Sequence, residues 1–118
     1  MCEFLANFKK KPLMDRKVQA LNIIKKYPER IPVIITKNND CNIPDIDIHK
    51  FLAPTNMMVS QFIRVIKKKI DVSPTTAIFI FINDTIPGSN ENMGNLHRKY
   101  KDEDYFLYIT YATENTFG

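Results

Sequence analysis

Apolar and polar positions along this chain repeat with two different periods, and the switches between them mark the elements. From residue 13 to residue 27, Met14, Val18, Leu21 and Ile24 fall at near-helical spacing, and Ala20, Ile23 and Tyr27 widen the stripe. Asp15, Gln19, Asn22 and Lys26 form the opposing polar stripe, so the pattern predicts a helix over Leu13–Tyr27 with Met14, Val18, Leu21 and Ile24 on its apolar face. Pro28 ends it, because the residue before a proline is driven out of the helical region. A short helix around Cys2–Phe8 precedes it.

Ile31–Thr36 reads as a strand, with Pro32 near its start, where a missing donor does least harm. Lys37–Asn42 has the composition of a turn. His49–Ala53 is a second strand stopped by Pro54, and the two strands are expected to pair as an antiparallel hairpin with a long loop. Thr55 or Asn56 is the expected cap of a helix over Met58–Ile70. Its core stripe is Val59, Phe62, Ile63, Ile66 and Ile70; Gln61, Arg64, Lys67 and Lys68 face water. Met58 and Val65 make an apolar shoulder beside the stripe, suited to core packing or to a docking groove. Ala77–Ile82 is the most strand-like run and, like Phe106–Tyr111, is apolar on both faces. Such strands must be covered on both sides, and the two strong helices are the expected covers. Asn83-Asp84 and Pro87-Gly88 mark turns, and Met93–Tyr100 is a short helix.

Leaving out the N-terminal helices, the order strand, strand, helix, strand, short helix, strand is that of the ubiquitin-like β-grasp. The expected fold is therefore α+β, with a four-stranded mixed sheet and extra N-terminal helices on the face a β-grasp normally leaves open. The chain is read as one domain over residues 1–118: a helical extension (1–27), a β-grasp core (28–112) and a flexible tail (113–118).

Composition narrows the function classes. The chain has 118 residues, 44% of them hydrophobic and 25% charged, as in ordinary soluble globular domains. No apolar run approaches the roughly 20 residues of a membrane span, and the N-terminus lacks the pattern of a secretion signal. Cys2 and Cys41 stand far apart, so neither a zinc site nor a disulfide framework is indicated, and a reducing cytosolic setting is the default. The net charge of +4 draws on the triplets Lys9–Lys11 and Lys67–Lys69. Runs of this kind usually form solvated faces, and no nucleic-acid motif accompanies them.

Catalytic constellations are missing. His49 and His97 lie in separate elements, a Cys41–His49 pair would join a turn to a strand, and Asp45 and Asp47 sit in a polar loop. Three glycines do not make a phosphate loop. The chain is predicted not to be an enzyme, with no metal and no cofactor. Its last residues, Thr113–Gly118, are polar apart from Phe117 and end on glycine. A carboxylate on the residue without a side chain can enter a narrow active site, so Gly118 is either a reactive terminus or an accident of sequence.

Several collinear blocks carry a resemblance: Tyr27–Ile34, Lys50–Pro54, Val59–Phe62, Ala77–Pro87, Lys99–Asp104, Phe106–Tyr108 and Glu114–Gly118. Together they closely resemble the autophagy ubiquitin-like modifiers, the family of the GABA-receptor-associated protein and the microtubule-associated light chains, over about Pro12 to Gly118. The resemblance implies that Gly118 is activated with ATP by a separate activating enzyme. The acyl group then passes to a conjugating enzyme and on to the amine of phosphatidylethanolamine, and a cysteine protease of the pathway reverses the step. The protein would be cytoplasmic and, when lipidated, on autophagosomal membrane.

The resemblance also implies docking of receptor or adaptor peptides with an aromatic-x-x-aliphatic motif, by strand addition to the sheet edge. Its aromatic pocket would be lined by Gln19, Ile23, Pro32, Lys50, Leu52 and Phe106. Its aliphatic pocket would use Phe51, Ala53, Pro54, Met57, Phe62 and Val65, with Arg30 and Lys69 as a charged flank. This sequence departs from the family at Gln19, often acidic there, and at Ala53 and Met57, which replace a larger aliphatic and a leucine. A wider second pocket follows. Ile48 replaces a usually basic residue, and Leu13-Met-Asp15 lacks a common aromatic–acidic pair. The alternatives are an adaptor that docks peptides without being conjugated, and a modifier of protein amines.

Overall fold

A computed structural model describes residues 3–38 and 43–113. Cys2, Cys41, Gly118 and most of the expected 37–42 turn and C-terminal tail lie outside the described residues. The elements are α1 (Glu3–Lys10), α2 (Leu13–Lys26), β1 (Arg30–Lys37), β2 (Lys50–Pro54), α3 (Val59–Ile70), β3 (Phe79–Phe81), α4 (Met93–Tyr100) and β4 (Leu107–Ala112). Among the described residues the sheet has four strands, in the order β2-β1-β4-β3. β1 pairs with β2 antiparallel and with β4 parallel, and β3 joins β4 antiparallel, so the sheet is mixed as expected.

Strand alternation sorts side chains onto two faces. Ile31, Val33 and Ile35 of β1, Ala53 of β2, and Leu107, Ile109 and Tyr111 of β4 meet Val59, Phe62, Ile66 and Ile70 of α3 in the main core. On the other face, Ile34 and Phe106 meet Phe8 of α1 and Ala20 of α2, with Ile23 and Tyr108 packed alongside. β1 is buried at every position from Ile31 to Thr36, which is why its sequence shows no alternation.

Three local expectations change. β3 is limited to Phe79–Phe81, because Asn83 and Asp84, with φ of 49° and 63°, fold the chain back at once. Ile82 and Thr85 then exchange backbone hydrogen bonds of 2.8 and 2.9 Å across that tight turn. α3 is capped at Met58, not at Thr55 or Asn56. The Met58 N–H donates to Gln61 Oε1 at 2.9 Å, while residues 55–57 are held by α4.

The third change concerns α2. Met14, Val18 and Leu21, the expected packing face, are 65%, 48% and 40% exposed, whereas Arg16 and Ala20 are buried. The apolar pattern of α2 supports two faces almost equally. Ala20, with no side chain beyond Cβ, lets the helix approach the sheet closely. Arg16 reaches beneath it to a carboxylate, and those two residues fix the rotation.

Candidate functional site

The sheet leaves β2 at an edge with α2 on one face and α3 on the other, and the ladder determines which backbone groups that edge offers. Ile35 N–H donates to His49 O at 2.8 Å, and Thr55 N–H donates to Glu29 O at 2.9 Å, at the two ends of the β1–β2 register. Odd-numbered residues from 49 to 55 therefore direct their backbone groups toward β1, and Lys50 and Leu52 direct theirs outward. Pro32 sits opposite Leu52, in a pair that needs no donor from it. The outward carbonyl of Leu52 accepts from Arg30 Nη1 at 3.3 Å. A strand added here would find an N–H and C=O pair at both positions.

Side-chain parity divides the expected site residues in the same way. Lys50 and Leu52 face α2, where Gln19 and Ile23 are half-buried beside them. Lys50 Nζ lies 5.0 Å from the centre of the Phe8 ring, and partial burial, with Lys11 nearby, holds its pKa below the ordinary lysine value. Pro32 is buried, and Phe106 is closed off by an edge-on contact with Phe8 at 5.2 Å, so both form floor beneath the half-buried residues.

On the α3 side, Phe51 meets Phe62 edge-on at 5.6 Å, and Lys69 Nζ stands 5.5 Å over the Phe51 ring. Ala53 and Phe62 are fully buried and belong to the core behind the pocket. Pro54, Met57 and Val65 line a cavity of about 430 Å³ together with Asn56, Gln61, Arg64 and Lys68. Arg30 lines a second cavity, of about 270 Å³, with Glu29, Pro54, Thr55 and Asn56. The expected residues thus cluster in two groups on the two faces of one open edge. An extended chain places residues three apart on opposite faces, the spacing an aromatic-x-x-aliphatic motif supplies.

The segment carrying Met57 is positioned by the start of α4. Met93 N–H donates to Met57 O at 2.8 Å and Gly94 N–H to Thr55 O at 2.9 Å, while Asn92 caps α4 through Asn95 N–H at 2.7 Å. A side chain at Gly94 would place its Cβ 2.9 Å from Thr55 O, so glycine is needed for this close approach.

Asn56, Gln61, Arg64 and Lys68 were not foreseen as cavity residues. The signal was present, because Gln61, Arg64, Val65 and Lys68 follow the i, i+3, i+4, i+7 rule of one helix face.

On the α2 face, Arg16 Nη1 donates to Asp104 Oδ2 at 2.7 Å and Arg16 Nε to Lys11 O at 3.1 Å. Asp104, wholly buried, also accepts from Phe106 N–H at 2.9 Å and from the Tyr108 hydroxyl. Burial and the Asp104 carboxylate push the Tyr108 pKa up, which keeps the hydroxyl a donor. Lys9 adds an ion pair to Asp102 at 3.6 Å and lies 3.9 Å over the Tyr108 ring. These contacts fasten the N-terminal helices, and with them Gln19 and Ile23, to the sheet.

The histidines are occupied structurally. His49 Nδ1 is 2.8 Å from Ile35 O and its ring stacks on Phe4, while His97 Nε2 donates to Tyr105 O at 2.7 Å. Asp45 is exposed and 3.9 Å from Lys37 Nζ. Among the described residues, no group of His, Cys, Asp and Glu is placed to hold a metal, and no helix is long and apolar enough to cross a membrane.

Residues 15–118 match the model of the family described as autophagy protein Atg8, ubiquitin-like. The chain is 48% identical over 103 residues to autophagy-related protein 8e of Arabidopsis thaliana, covering 87% of this chain and 84% of that protein. It is 46% identical over 107 residues to autophagy-related protein 8 of Vanderwaltozyma polyspora, covering 91% of each. The crystal structure of Trypanosoma brucei ATG8 superposes with a TM-score of 0.85 at 35% identity, covering 93% of this chain and 95% of that one. The open sheet edge and the β-grasp around it are thus those of a chain that belongs to the Atg8 family of ubiquitin-like autophagy proteins.

Proposed function

We propose that this chain is a membrane tag that is joined through Gly118 to phosphatidylethanolamine and then docks receptor or adaptor peptides along β2. Conjugation makes an amide between the Gly118 carboxyl and the lipid amine. ATP drives it through an activating and a conjugating enzyme, and a cysteine protease cuts the same bond. The protein then divides between the cytoplasm and autophagosomal membrane. Family membership, with a match that runs through Gly118, supports the tagging half of this reading.

The observation that carries the docking half is the edge itself. Lys50 and Leu52 point their backbone groups outward, between half-buried Ile23 on one face and the Met57–Val65 cavity on the other. A peptide strand gains hydrogen bonds from the edge and two apolar anchors from its flanks.

Incubation with family activating and conjugating enzymes, ATP and phosphatidylethanolamine liposomes should give a faster-migrating lipidated band that Gly118→Ala abolishes. Absence of that band, where a family control gives one, refutes the tagging role. In peptide titrations Leu52→Ala should weaken docking about tenfold, from roughly 1–1.5 kcal/mol of lost apolar contact, and leave conjugation intact. Unchanged affinity would remove the groove from the reading.

A further inference from the structure

The rotation of α2 leaves its most apolar row in water. Among the described residues eight large hydrophobic side chains are exposed, and five of them, Leu13, Met14, Val18, Leu21 and Tyr27, lie in or directly after this one helix. Met14, Val18 and Leu21 follow the i, i+4, i+7 rule of one helix face, and Lys25 continues it at i+11. Val18 lies two residues from both Arg16 and Ala20, about 200° around the helix from each, so the row points away from the sheet. Apolar residues scattered singly on a surface need no explanation, but a contiguous row on one helix does. The row takes no part in the β2 groove, whose wall on this side is Gln19 and Ile23.

We infer that this row is a second docking surface, and that its occupant is an acidic amphipathic helix of a partner protein. Charge chooses the partner. The surface of α2 carries Lys17, Lys25 and Lys26 against the single Asp15, because buried Asp104 neutralises Arg16. Among the described residues Lys25 forms no ion pair, and Lys17 and Lys26 stand only near the Tyr105 and Tyr27 rings, at 5.3 and 5.4 Å. A second copy of this chain is disfavoured. An antiparallel pair centred on Val18 would match Met14 to Leu21 but set Lys25 of each copy against Lys11 of the other. A lipid surface is disfavoured too, because helices that lie in a membrane present projecting aromatic and leucine side chains. Here Val18 and Leu21 are half sunk, and no aromatic residue stands in the row. So shallow a row suits the ridge of another helix laid beside it. The 14 residues of α2 span about 21 Å, so a partner helix of about four turns covers the row. Its apolar residues recur at i, i+4 and i+7, with Asp or Glu on both flanks to meet the lysines.

The test titrates the full chain, its β2 groove saturated with an aromatic-x-x-aliphatic peptide, with three fluorescent alanine-based helices of about 18 residues. One has leucines at i, i+4, i+7 and i+11 flanked by Glu, the second has the same leucines flanked by Lys, and the third has the composition of the first with its leucines spread round the helix. The first should bind about tenfold tighter than either control near 0.1 M salt, and its advantage over the Lys helix should shrink toward about 1 M. The variant Met14→Ala/Val18→Ala/Leu21→Ala should bind it about tenfold more weakly while keeping cooperative unfolding and affinity for the groove peptide. Equal binding of the first helix and either control, an affinity that survives the triple substitution, or binding of no helix overturns the surface. Sedimentation of the chain alone and flotation with phosphatidylserine vesicles complete the test. Self-association or vesicle binding that the triple substitution abolishes would overturn the acidic helix as occupant.

Discussion

Replacing Asp104 by alanine should destabilise this protein more than its position between a turn and a strand suggests. The carboxylate is fully buried and accepts three hydrogen bonds, from Arg16, from Phe106 N–H and from the Tyr108 hydroxyl. Its removal strands the largely buried Arg16 guanidinium, and breaking a buried ion pair from one side costs about 3–5 kcal/mol. The orphaned hydroxyl and amide add to this unless water enters, so we expect a loss of about 4 kcal/mol. For a domain of this size, that lowers Tm by roughly 15 °C. Urea unfolding followed by circular dichroism should show a lower midpoint with an unchanged slope. Asp104→Asn, which keeps an acceptor but loses the charge, should lose less. The decisive measurement is a cycle with Arg16→Met: the double variant should be more stable than the sum of the single losses implies, by at least about 1 kcal/mol. A single-variant loss below about 1 kcal/mol, or strict additivity, would refute the argument that this pair fastens the N-terminal helices.

Two further outcomes follow from geometry and burial. Gly94→Ala should cost about 1–3 kcal/mol, because the overlap with Thr55 O outweighs the gain in helix propensity; a higher Tm would contradict this. Burial, helped by Lys101 and Arg98, lowers the His97 pKa despite its bond to Tyr105 O. The unfolded chain therefore takes up the proton first as pH falls. This contribution is complete above about pH 6.5 and is lost as pH drops through that value toward the lowered folded pKa. Tm measured from about pH 7.5 to 5.5 should fall less steeply in His97→Gln, and an identical slope would exclude His97 as the cause.

Element type and order were legible because each element has a single dominant period. α3 is the clearest case: four of the five expected core residues, Val59, Phe62, Ile66 and Ile70, are buried, and Ile63 packs against them. α2 was legible as a helix but not in its rotation. Its apolar residues occupy two adjoining faces, and the deciding partner, Asp104, lies 88 residues from Arg16. Long-range pairing of that kind leaves no local periodic trace. β3 was read too long because apolar residues continue past Phe81, whereas the left-handed pair Asn83-Asp84 ends the ladder. The candidate site was legible only through the family resemblance. Its apolar members look like core by pattern, and several, such as Ala53 and Phe62, are core. Arg64 and Lys68 are exposed, as their place on the polar face of α3 led us to expect, and only the fold shows that they share a cavity rim with Pro54 and Met57.

The parallel pairing of β1 with β4 governs when the molecule can come into being. Val33 meets Leu107 and Lys37 meets Tyr111, so the central ladder joins an early strand to the last one. Contacts this distant close slowly, and little of the sheet's middle rewards the chain beforehand. A nascent chain released before β4 would lack the strand that both β1 and β3 lean on, and would expose their apolar faces. The central ladder therefore cannot close until β4 is available, and folding should show a slow step that a chain shortened before Leu107 cannot complete.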